Sequence, residues 1–184
     1  MDNQNSDESY RKMRNWILCG IVFTSFHITL GSIVIFPEFI GLWMVTYGIS
    51  QLENKIGCQE LKKAKLIFFL YGILSAFGFV SDKIKLLGPT LIIIMIQSLS
   101  MVLEIIGFFE LFQGLIATNL CNKKETVQKY LSCYLVLSFI TIGTILVAIY
   151  AIFQPNLALI MIFLIFALRA SVMYQLCSNC FHNN

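Results

Sequence analysis

The chain has 184 residues, of which 58% are hydrophobic and only 12% charged, against roughly 25% charged in an ordinary soluble domain. Its mean hydropathy of +0.78 argues against an ordinary soluble domain. A net charge of only +3, carried in short clusters beside apolar runs, argues against a nucleic-acid partner.

Lipid is the solvent expected for most of the chain, because its apolar runs approach the roughly 20 helical residues that span a hydrocarbon core of about 30 Å. The expected fold is all-α: one polytopic transmembrane bundle.

In chain order, Met1 to Asn15 is polar and is expected to be a mobile cytoplasmic tail. The first apolar run follows Arg11, Lys12 and Arg14 as in a signal peptide, yet no small-x-small cleavage site precedes Pro37, so it is read as an uncleaved first helix. Shifting the sequence by 66 positions superimposes Glu38-Phe39-Ile40-Gly41 on Glu104-Ile105-Ile106-Gly107, Gly48 on Gly114, Lys63 on Lys129 and Pro89 on Pro155. The repeat unit has three pieces, A, B and C: 16–36, 38–53 and 62–81, then 86–101, 102–120 and 130–153, with a third A piece at 156–177. The bundle is thus expected over 16–177, with repeat 1 at 16–81, repeat 2 at 86–153, and a second cytoplasmic tail at 178–184.

The second A and B pieces run together from Leu86 to Leu120 with no intervening loop. As one straight helix they would measure about 52 Å at 1.5 Å per residue, so the run must tilt, kink, project or turn back. Crossing once, it places Arg11, Lys12 and Arg14, then Lys55, Lys62, Lys63 and Lys65, then Lys123, Lys124 and Lys129 all inside, and only Lys83 and Lys85 outside. The expectation is six crossings of the cytoplasmic membrane with both termini inside; seven crossings, with a transporter-like inverted repeat, is the alternative.

Phe36-Pro37-Glu38-Phe39-Ile40-Gly41, then Gly48 and Ser50-Gln51-Leu52, resemble a group of uncharacterised multi-pass membrane proteins of low-GC Gram-positive bacteria. Those proteins carry a Leu-Pro-Asp-Phe-Ile-Gly-Tyr type segment after the first helix, and the resemblance covers the first 80 or so residues. Here Glu38 replaces the usual Asp, Leu42 the aromatic residue, and His27 stands where those proteins are often charged. The resemblance implies a membrane bundle and no catalytic residue. The HdeD-type repeat membrane proteins show a weaker likeness.

Glu104 lies near the middle of the 86–120 run, where an exposed charge costs at least about 2.5 kcal/mol. Gln97, Ser100, Glu104, Gly107, Gly114 and Thr118 share one helical face with Glu110 at its flank, while Phe108, Phe109 and Phe112 are expected to point away. Two readings compete. In one, Gly41 and Gly48 of the first B helix meet Gly107 and Gly114 of the second near the bundle centre, and Glu104→Gln is mild. In the other, Glu104 with Glu38 or Glu110 conducts protons or ions.

Arg169 must snorkel, pair with Glu104 or Glu110, or bind an anion, because its guanidinium stays charged. His27 is read as a hydrogen-bonded helix-end histidine.

Of six cysteines, Cys19 and Cys133 read as small hydrophobes. Cys177 and Cys180 form a CxxC read as exposed reduced thiols, without metal, since Phe181 separates Cys180 from His182 and no second ligand pair is adjacent. No Ser-His-Asp set, HExxH, P-loop or GxGxxG occurs. The expected function is therefore a non-enzymatic accessory, scaffold or envelope-related role without cofactors. Its partners are the bilayer and, as open alternatives, a second copy or another membrane protein. A small transporter or proton-coupled carrier is the competing function.

Overall fold

The computed structural model describes residues 2–25, 29–30, 33–34, 37–84, 90–121, 124–150 and 155–181. Among these residues six helices carry the fold: α1 Asp2–Ser25, α2 Glu38–Ile56, α3 Gln59–Ile84, α4 Thr90–Ala117, α5 Lys124–Tyr150 and α6 Pro155–Ser178. Between α1 and α2 the strands β1 Thr29–Leu30 and β2 Ile33–Val34 pair antiparallel, Thr29 opposite Val34 and Leu30 opposite Ile33. The first apolar run is thus not one helix to residue 36. It ends at Ser25, and the β-branched residues beyond it suit a strand better than a helix.

Local signals set the other boundaries. Pro37, in extended conformation, precedes α2, whose first residue Glu38 puts a carboxylate at the positive end of the helix. Gly57 ends α2 at φ 72°, a left-handed backbone that glycine adopts without strain, and its N–H donates to the Glu53 carbonyl at 2.7 Å. At the end of α4, Asn119 takes φ 60° and the Leu120 N–H closes on the Leu115 carbonyl at 3.1 Å.

The run from 86 to 120 does not turn back among its described residues. From Thr90 to Ala117 it is one helix of 28 residues, about 42 Å long. The A and B pieces of the second repeat are therefore a single rod.

Each helix packs antiparallel on the next: Ile17 and Thr24 of α1 on Gly48 and Gly41 of α2, and Glu53 of α2 on Lys65 of α3. Phe68 of α3 meets Phe108 of α4, Phe112 of α4 meets Tyr130 of α5, and Tyr130 meets Ser171 of α6. Arg169 of α6 returns to the Thr24 carbonyl of α1 and closes the ring. The described Lys and Arg side chains other than Arg169 belong to the end of the bundle that holds the α2–α3 and α4–α5 turns.

Two expectations about the chain ends are corrected. Residues 2–15 are helical, with a Lys12–Glu8 ion pair at 2.9 Å, and Met13 is buried against Gly48, because this stretch carries apolar residues in register with α2. At the other end, Asn179 and Cys180 are buried, and the Phe181 N–H donates to the Leu120 carbonyl at 2.7 Å.

The aromatic expectation is also corrected. Phe108 and Phe112 are in the core, since α4 lies between α3 and α5 and buries more than one face.

Candidate functional site

Near the middle of the bundle, charged side chains from distant parts of the sequence converge. Arg169 is only 8% exposed. Its Nε donates to Glu104 Oε1 at 2.6 Å and its Nη2 to Glu104 Oε2 at 2.8 Å, the two-pronged geometry that guanidinium and carboxylate favour. Nη2 also reaches Glu38 Oε1 at 3.0 Å, and Nη1 donates to the Thr24 carbonyl at 2.6 Å.

A second layer surrounds the carboxylates. The Tyr71 hydroxyl lies 2.8 Å from Glu38 Oε1 and 3.2 Å from Glu104 Oε2, so its one proton serves either carboxylate, and Ser75 Oγ donates to Glu38 Oε2 at 3.2 Å. Residues of α1, α2, α3, α4 and α6 thus meet in one cluster. Such a group persists away from water only when its charges are paired and its donors used. Four of the five Arg169 N–H groups have described acceptors.

The local sequence explains each position. Glu38 opens α2 beside Pro37 and therefore sits at a helix end facing the cluster. Tyr71 and Ser75, four residues apart, share a face of α3. The Thr24 carbonyl lies in the last described turn of α1, where helix carbonyls commonly find partners outside the helix.

Beside the cluster, a cavity of about 10 Å³ is lined by Glu104, Arg169, Tyr134, Phe108, Leu168 and Val172 among others. That is room for about one water at most.

Of the residues singled out from the sequence, Glu104 and Arg169 are at the centre of this cluster. Arg169 pairs rather than snorkels, and its partners are Glu104 and Glu38; no described contact joins it to Glu110, which lies farther along α4, half-buried. Ser100 is half-buried on α4, and the side chain of Gln97 lies outside the described residues, as does His27. Thr118 is bonded to the Gly114 carbonyl of its own helix at 2.8 Å.

The glycines do not bring the two B helices face to face, which corrects that expectation. Gly41 touches the Gly20 carbonyl and Thr24 of α1, and Gly48 touches Ile17 and Met13 of α1. Gly107 and Gly114 instead receive Phe68 and Leu61 of α3. The chain order of antiparallel helices inserts α3 between α2 and α4, so each glycine face serves a sequence neighbour. Glu104 is bonded to the Arg169 guanidinium rather than sealed between glycine faces.

The cysteines need a further correction. Cys180 is buried and disulfide-bonded to Cys121, with Cα atoms 4.1 Å apart, whereas Cys177 is exposed with a free thiol. The Cys58 thiol donates to Glu60 at 2.8 Å; burial first, and that carboxylate second, push it above the usual thiol range. Among the described residues no group of three or more His, Cys, Asp or Glu is arranged to hold a metal ion. His182 lies outside them.

Tyr71 and Ser75 were not anticipated. The signal for them is their i, i+4 spacing in an otherwise apolar stretch of α3.

Among the described residues, Gln59–Val80 and Leu99–Ala117 are long and apolar enough to cross a membrane, and Phe163–Ser178 is a shorter apolar helix. No family model, curated protein or solved structure matches the chain.

Proposed function

We propose that the chain is a non-enzymatic, six-crossing protein of the cytoplasmic membrane, with an accessory, scaffold or envelope-related role. Kinship with the multi-pass membrane proteins of low-GC Gram-positive bacteria, on the Pro37 to Gly41 segment, belongs to the same proposal. The observation that carries the functional reading is the paired Arg169 cluster. Both carboxylates and the guanidinium are engaged within the protein, and the adjoining space among the described residues is only about 10 Å³.

The membrane setting is supported by the two apolar helices and by an outer surface that exposes Leu66, Phe77, Val136 and Phe163. An even number of antiparallel helices among the described residues supports the six-crossing reading with the termini on one side, and the basic clusters at that side favour the cytoplasm.

The Cys121–Cys180 bond lies at this same end, and a persistent disulfide favours an oxidising compartment instead. The lysine and arginine clusters weigh more, because several separate segments agree, whereas two juxtaposed cysteines remain juxtaposed when reduced. Topology reporters after Asn54, after Lys123 and at the C-terminus are expected to be cytoplasmic, and one after Lys83 external. An external signal at Lys123 would reverse or break the assignment.

A second reading, a proton-coupled carrier, is favoured by one feature: two carboxylates share one guanidinium and one tyrosine hydroxyl, an arrangement able to exchange proton partners. Reconstituted protein is expected to show no proton flux above that of empty vesicles. A flux abolished by Glu104→Gln in protein that remains folded would replace the scaffold reading with the carrier.

A further inference from the structure

We propose that the groove between α2 and α3 binds an anionic phospholipid from the leaflet at the basic end of the bundle. This rests on the membrane reading above and adds a lipid class and a site. The groove has a volume of about 1010 Å³ and is open to the outside.

Its two ends differ chemically. Trp43, Tyr47, Leu66 and Phe69 form an apolar body, each roughly half exposed although large, while Lys62, Lys63 and Lys65 line the mouth at the α2–α3 turn. The aromatic body is held firmly: Tyr47 stacks edge-on against Trp16 at 5.2 Å between ring centroids, and Trp43 likewise against Phe39 at 5.2 Å.

Gly72 of α3 leaves room for the Trp43 indole at the edge of the groove. A Cβ at that position would stand 2.7 Å from the Trp43 indole.

Dimensions fit a single lipid. From Trp43 to Gly57 the groove follows α2 for about 21 Å at 1.5 Å per residue, slightly more than the roughly 15 Å of hydrocarbon in one leaflet. An acyl chain lying along Trp43, Tyr47, Leu66 and Phe69 therefore brings its headgroup level with the lysines.

Charge selects the headgroup. Glu53 is the one carboxylate among the lining residues; it pairs with Lys65 at 2.5 Å, and Lys62 and Lys63 are exposed beside that pair. Glu60 lies next to Lys63 outside the groove and offsets part of its charge. The remaining positive field, with Ser50 half-buried in the wall, suits a phosphodiester carrying net negative charge better than a zwitterion.

The test uses the indole as reporter. The chain has two tryptophans, so Trp16→Phe leaves Trp43 as the only indole while retaining a ring against Tyr47. The full-length variant is placed in mixed vesicles in which either phosphatidylglycerol or phosphatidylcholine carries bromine on its acyl chains, at equal mole fraction.

Brominated phosphatidylglycerol is expected to quench Trp43 more strongly. Lys62→Gln and Lys63→Gln should each lower the apparent preference about fivefold, and Lys129→Gln, at the same end but off the groove, should leave it unchanged.

Equal quenching by both lipids would overturn the site while leaving the membrane reading intact. No quenching by either would overturn both. Loss of the preference on adding soluble glycerol phosphate would show recognition of a free phosphate and overturn the lipid assignment.

Discussion

The α1–α2 and α3–α4 contacts use glycines in different ways, although Gly41 and Gly107 lie 66 residues apart in matching sequence positions. At Gly41 the neighbour is backbone: a Cβ there would meet the Gly20 carbonyl oxygen at 2.6 Å and the Thr24 nitrogen at 2.7 Å. At Gly107 the neighbours are side chains, the Phe68 ring at 3.0 Å and Ile67 at 3.3 Å. Backbone cannot retreat without moving a helix, whereas a ring edge can yield by a few tenths of an ångström. The same small-residue signal thus gives a rigid helix pair in one half and an adjustable one in the other.

The two halves are joined at Arg169, and the largest expected effect lies there. Glu104→Gln removes the two-pronged partner and leaves the guanidinium largely to Glu38, at a cost of about 3–5 kcal/mol, read as lost thermal stability in detergent. Glu38→Gln is expected to cost about 1.5–3 kcal/mol, since it removes one longer contact. Equal losses would mean that the two carboxylates contribute alike despite their geometry.

Next in size is Gly41→Ala, expected to cost about 1–3 kcal/mol by forcing α1 from α2. Gly107→Ala should fall within about 1 kcal/mol of neutral, because the ring shift is offset by the roughly 0.5–1 kcal/mol that alanine gains in a helix. Gly114→Ala belongs between them: its Cβ would meet the Leu61 side chain at 2.8 Å but also its backbone nitrogen at 3.2 Å. If Gly107→Ala proved as damaging as Gly41→Ala, the distinction between backbone and side-chain contacts would collapse.

Much of the helical organisation was legible because many outward-facing residues are as apolar as the core-facing ones, so long runs stand out against charged turns. The same fact hid which faces pack. Phe108 and Phe112 differ little in sequence character from the exposed Ile106, and only the position of α4 between α3 and α5 separates them.

The candidate site was half legible. Glu104 and Arg169 stand out as charges in apolar surroundings, but pairing residues 65 apart in sequence needs the ring to close. The hairpin after Ser25 was lost inside an apolar run because β-branched residues satisfy both a membrane helix and a strand in a hydropathy reading.

Arg169 also imposes an order on biosynthesis. Its contact with the Thr24 carbonyl spans 145 residues, so α1, α2, α3 and α4 are all synthesised before the guanidinium that serves them exists. In the complete fold Glu38 and Glu104 also share the Tyr71 hydroxyl, and Arg169 is the cation between them. A chain lacking α6 therefore keeps two acidic groups without the counter-ion that Arg169 provides. Arrival of α6 supplies that counter-ion, and with it a single side chain that touches α1, α2 and α4 together.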